Sequence, residues 1–103
     1  MPIPPIKVQR AAQLGLLFRR KFHRGGTAVG IARARDLSNG RNVSIKTVQR
    51  MYSFFSRHAV DSYAVGFYEG EPGFPSNGRI AWELWSGTEG WKWSKKILGK
   101  TSG

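Results

Sequence analysis

At 103 residues without cysteine, the chain is sized for one domain with one modest core, and it excludes a disulfide framework and a thiolate metal site. Two histidines do not make a zinc site unless several carboxylates stand beside them. Seventeen Lys and Arg against six acids leave a formal charge of +11, and self-repulsion on that scale calls for an anionic partner. Nucleic acid is the commonest such partner; a membrane surface and an acidic protein are the others. The placement of the charge is as informative as its size. Residues 1–60 hold twelve basic side chains and one acid, Asp36, whereas residues 61–103 hold five of each.

In chain order, Pro2, Pro4 and Pro5 predict an extended arm over residues 1–5, because each fixes φ and withdraws a backbone donor. Helical periodicity starts near Ile6 and carries Val8, Ala11, Ala12, Leu14, Leu16, Leu17 and Phe18, with Gly15 weakening the helix by about 1 kcal/mol relative to alanine. Arg19, Arg20, Lys21, His23 and Arg24 follow, placing more cations at the negative end of the helix dipole than a cap requires. The apolar run Leu14–Phe18 is too short to cross a bilayer. The opening "MPIPPIKVQR" lacks the apolar core and cleavage site of a signal peptide.

Gly25-Gly26 breaks the chain and Thr27 caps a second helix over about 28–38, with Ala28, Ile31, Ala34 and Leu37 on one face and Arg33 and Arg35 off it. Asn39-Gly40 stops it. Ser44 caps a third helix running to about Val60. Its inner row is Ile45, Val48, Met51, Tyr52, Phe55 and Ala59; Lys46, Arg50, Ser53 and Arg57 form a second row at helical spacing. Residues 61–77 combine glycines, two prolines and the aromatics Tyr63, Phe67, Tyr68 and Phe74, a long loop pinned to the body. "GRIAWELW" is a short helix starting at Ser76 or Asn77 and ended by Gly87. "EGWKWSKKIL" is a last one, opened by Thr88 and closing near Leu98, before a polar tail at 99–103. The expectation is a single all-α domain of four to five short helices around one small core. It has a helix-turn-helix-like pair in the middle, a basic helical half (6–60), a loop (61–77) and a Trp-rich helical half (78–98).

The outline from Thr27 to Val60 admits three readings: a major-groove reader offering Lys46, Thr47, Gln49, Arg50 and Arg57, a less specific phosphate-binding surface, or simply two packed helices. "SNGRNVS" is longer than the usual tight turn. The candidate nucleic-acid contacts are Arg19, Arg20, Lys21, Arg24, Arg33, Arg35, Arg41, Lys46, Arg50 and Arg57. Gly25, Gly26 and Thr27 either bring backbone amides to a phosphate or form a plain turn and cap; the Lys-Ser/Thr pair of a nucleotide-triphosphate loop is missing. Trp85 continues the Ile80, Ala81 and Leu84 face and is expected in the core. Trp82 or Trp93 is expected at the surface, for base stacking or a protein contact. No metal, cofactor or small-molecule substrate is expected. His58 and Asp61 lie three apart at a helix end, and Asp36 is expected to pair with an arginine, so a non-enzyme is the reading.

The run "RGGTAVGIARARDLSNGRNVSIKTVQRMYSFFSRHAVD", followed by "GFPSNGRIAWELWSG", resembles a small domain encoded repeatedly by tailed bacteriophages and prophages. That domain occurs alone or attached to head-morphogenesis proteins of the prohead-protease kind. The resemblance covers about Arg24 to Trp93 and departs at Ser86, where a second glycine is expected after "LW". It implies a phage context and carries no catalytic residues. The expected function is duplex DNA binding through phosphates, in host cytoplasm or virion and without a membrane. The alternative is a virion structural component that touches capsid or other head proteins and turns its basic half to the packaged genome.

Overall fold

The computed structural model describes residues 2–99. They form five α-helices and one 3₁₀ segment, with no strand among them: α1 (Ile6–Phe22), α2 (Ala28–Ser38), α3 (Ile45–His58), the 3₁₀ segment (Ala59–Tyr63), α4 (Asn77–Leu84) and α5 (Gly87–Leu98). The all-α expectation holds. Residues 100–103 of the expected tail lie outside the described residues. Three helices open on hydroxyl caps: Thr27, Ser44 and Ser76 accept from the backbone N–H groups of Gly30, Thr47 and Arg79. The third helix stops at His58, short of Val60, because the chain tightens into the 3₁₀ segment. The extended arm is docked: Pro2 O accepts from Val43 N–H at 3.0 Å and Pro4 O from the Gln9 amide at 2.8 Å.

The short α4 is the centre of the molecule, touching α1, α2, α3 and α5. A helix enclosed on all sides is buried all round, and Ile80, Trp82, Glu83, Leu84 and the following Trp85 are all buried. Gly15 explains how α1 comes so close. A Cβ there would stand 2.5 Å from the backbone of Glu83 and Leu84, so the residue that weakens α1 by propensity is the one that lets it cross α4. Burial raises the Glu83 carboxyl above its ordinary value of 4.5, and Arg79, 3.2 Å away, pulls the other way. The same guanidinium donates to Phe67 O at 2.6 Å and lies over the Phe67 and Phe74 rings. Glu71 accepts from the N–H groups of Gly66 and Tyr68, both at 3.0 Å. The loop is therefore pinned as expected at Phe67 and Phe74, but Tyr63 is 91% exposed and Tyr68 is exposed as well.

Several expected positions change. Ile45, Leu17 and Ala28 are exposed, while Phe54 is buried. Ile45 and Ala28 stand at the first positions of their helices, where the chain has yet to reach the core. The helix-turn-helix-like pair is also corrected. α2 packs on α1 and α4, whereas α3 packs on α5, α4 and the 3₁₀ segment; α2 and α3 make no close backbone contact. Trp85 is the reason: its indole Nε1 sits against Gly30 of α2 and its ring stacks on Phe54 of α3 at 5.1 Å, so the tryptophan holds the two helices apart.

Candidate nucleic-acid interface

On α3 the basic row is where its spacing puts it. Lys46, Arg50 and Arg57 are exposed, opposite Val48, Met51 and Phe55, which are fully buried. Among the described residues Arg57 reaches only the Ser53 hydroxyl, at 3.5 Å. Arg50, Ser53 and Arg57 form one wall of a groove whose other wall includes Val29 and Thr27 from the start of α2. Its floor is an aromatic pile, His58 on Phe54 at 4.5 Å and Phe54 on Trp85 at 5.1 Å. Phe54 is stacked on both sides, by His58 and by Trp85. The groove thus suits a phosphate-sugar backbone better than stacked bases.

The remaining candidates divide by position. Arg19, Arg20 and Arg35 meet across the junction of α1 and α2, with His23 beside them. Arg24 is half-buried and donates to Asn77 Oδ1 at 2.8 Å, and both it and Lys21 lie over the Phe22 ring. Arg41 is exposed on the connection between α2 and α3. Arg33 binds Asp36 at 3.3 Å, the arginine pairing expected for that acid. Lys7 and Arg10, passed over in the sequence because they precede the dense cluster, are exposed on the first turns of α1.

Electrostatically, the halves stay separate. Among the described residues, Arg33–Asp36 is the only ion pair that includes a Lys or Arg of residues 2–60. Three of the five acids of the other half are held within it, and Glu69 is exposed. Glu83 meets Arg79, Glu89 meets Lys92 at 3.9 Å, and Glu71 is taken up by backbone amides. Asp61 meets His58, on the boundary, at 3.2 Å.

The Gly25-Gly26-Thr27 turn is a packing device. Both glycines have positive φ, and added side chains would strike Ile80 and Leu84 of α4, while the Thr27 hydroxyl accepts from Gly30 N–H at 3.2 Å. The tryptophan expectation is corrected. Trp82 and Trp93 are 5% and 8% exposed, because α4 is enclosed and Trp93 turns toward the N-terminal end of α1 beside Val8. Trp91 is the half-buried one, with the Lys95 ammonium 4.1 Å from its ring centre. Among the described residues no three His, Asp or Glu side chains stand close enough to hold a metal, and no helix is long and apolar enough to cross a membrane. No family model, curated protein or solved structure matches this chain.

Proposed function

We propose that this is a non-enzymatic, phage-type protein that binds duplex DNA by contacting phosphates through its basic N-terminal half. The observation that carries the reading is the largely unneutralised state of that half: its cations are mostly exposed, and among the described residues Asp36 is the only acid that forms an ion pair with one of them. Phosphate contacts of this kind position a protein without reading bases. The separation of α2 from α3 favours the phosphate-binding surface over the major-groove reader. The test is a titration of a short labelled duplex at rising salt. About five to eight contacted phosphates give a slope of log affinity against log salt near −4.5 to −7; affinity independent of salt refutes the proposal.

One feature favours the second reading, a virion structural component. Val60, Tyr63, Val65 and Tyr68 expose apolar and aromatic surface close together in the chain, at the boundary of the neutral half. Such surface fits a protein contact, leaving the basic half for genome. Co-purification with particles, lost on Tyr63→Ser with Val65→Ser, tests it. Free protein alone counts against it.

A further inference from the structure

At the junction of α1 and α2 lies a cleft of about 400 Å³ lined by Leu16, Arg19, Arg20, His23, Ile31 and Arg35. Every polar side chain on it is a guanidinium or an imidazole. Asp36, the neighbour of Arg35 in sequence, is committed to Arg33 at 3.3 Å and is not part of the lining. The arrangement follows from helical spacing: Arg19 and His23 are one turn apart on α1, and Ile31 and Arg35 are one turn apart on α2.

The Nε–H groups of Arg19 and Arg33 are shut off from solvent and have no acceptor among the described residues. An atom closed to solvent is closed to a ligand oxygen as well, so Arg19 can serve the cleft only through its terminal nitrogens. Leu16 and Ile31 give the cleft apolar walls, which lower the local dielectric and strengthen attraction to an anion.

We infer that this cleft is a preformed seat for one phosphate group, held by the guanidinium donors of Arg19, Arg20 and Arg35 and an imidazole donor from His23. Three guanidinium forks approaching from two helices offer more donors than the two oxygens of a carboxylate accept, whereas a tetrahedral oxyanion uses them. As the seat of a backbone phosphate the inference rests on the proposed DNA binding; free phosphate shares the same chemistry.

The experiment follows backbone amide shifts of the full chain during titration with inorganic phosphate at constant ionic strength. It compares the wild type, Arg20→Gln with Arg35→Gln, and Lys96→Gln as a control in the neutral half. Arg20, Arg35 and Lys96 are exposed and form no ion pair among the described residues, so all three proteins should melt alike. The expected result is a saturable response confined to residues 19–23 and 31–35, weakened at least about tenfold, the loss of one charge-assisted contact, in the double variant and unchanged in Lys96→Gln. Shifts that grow linearly and spread over all exposed arginines overturn the seat, as does a double variant that binds phosphate like the wild type. A parallel duplex titration separates the sources. Weaker duplex binding by the double variant supports a backbone phosphate. Saturable phosphate binding with unaltered duplex affinity overturns that assignment and leaves a free-phosphate site. Steep salt-dependent duplex binding without a saturable phosphate response overturns the seat and leaves the DNA reading standing.

Discussion

Replacing Lys46, Arg50 and Arg57 together with glutamine separates the exposed cationic face of α3 from its packing face. All three are exposed, none forms an ion pair among the described residues, and the sole side-chain hydrogen bond among them is the 3.5 Å contact of Arg57 with Ser53. Surface changes away from caps and core usually shift stability by no more than about 0.5 kcal/mol. Removing three like charges from a strongly cationic half also relieves repulsion. The melting temperature should therefore hold or rise slightly. Binding should behave differently. If each side chain meets one phosphate, the slope of log affinity against log salt flattens by about 2.7. For contacts that act only by counterion release, affinity at about 0.1 M salt falls up to about 500-fold and converges with the wild type near 1 M. Fluorescence anisotropy on a short duplex across a salt series, with a thermal melt of each protein, reads both quantities. An unchanged slope removes α3 from the interface; a lowered melting temperature makes the row structural and reverses the assignment of faces.

The opposite face should respond in the opposite way: Met51, fully buried, should cost about 2–5 kcal/mol on truncation to alanine, read by chemical denaturation, with duplex affinity unchanged while the protein stays folded. Ser86→Gly should stabilise the fold, because Ser86 sits at φ 77 with a buried hydroxyl that has no partner among the described residues. Relief of about 1–2 kcal/mol of left-handed strain and about 1–3 kcal/mol of desolvation exceeds the roughly 0.4–1 kcal/mol that glycine adds to the unfolded entropy, and a lower melting temperature refutes this account. Gly15→Ala should destabilise despite the better helix propensity of alanine, since the added carbon meets α4 backbone at 2.5 Å; about 1–3 kcal/mol of overpacking is expected on denaturation. The Glu83 carboxyl is raised in the fold by desolvation. Its contribution is accordingly full below the ordinary value of 4.5 and declines as pH rises through the folded value. Comparing pH–stability profiles of the wild type and Glu83→Gln should show that decline only in the wild type.

The helices were legible because periodicity and caps are local. Thr27, Ser44 and Ser76 each perform the capping role their residue type suggests, and the cationic row of α3 follows from a 3.6-residue repeat alone. What escaped was non-local. Gly15 reads as a weak point in α1 until α4 is laid across it. Trp82 or Trp93 reads as a surface aromatic because a short helix is assumed to keep one wet face, but Trp82 lies on α4, packed by four helices, and Trp93 turns from α5 toward the start of α1 beside Val8. Phe54 falls beside the inner row of α3, and only the stack on Trp85 makes it a core residue. The ten candidate cations were visible one by one, yet the grouping of Arg19, Arg20 and Arg35 at an α1–α2 cleft and of Arg50 and Arg57 at an α2–α3 groove required the helix arrangement. Ser86 is the instructive intermediate. The resemblance expects glycine there, and the backbone does adopt a conformation that glycine favours.

The charge asymmetry of the sequence could have been cancelled in the fold, since the acids of residues 61–103 equal the basic residues in that half and were free to face the other. Folding instead keeps Glu71, Glu83 and Glu89 at home, while Asp61 meets His58. Arg79 takes Glu83 into the core and ties the Phe67 loop to the same helix, while Glu71 closes that loop from within. The neutral half thereby becomes a self-satisfied scaffold whose central helix supports α1, α2 and α3 from beneath. The basic half retains the repulsion that an isolated protein would be more stable without. Among the described residues the fold gives one carboxylate, that of Asp36, to the arginines of its basic half, and it commits Glu71 to loop closure and Glu83 to the core. Under the proposed DNA binding, backbone phosphates would meet the guanidinium groups at the α1–α2 junction and the exposed row along α3.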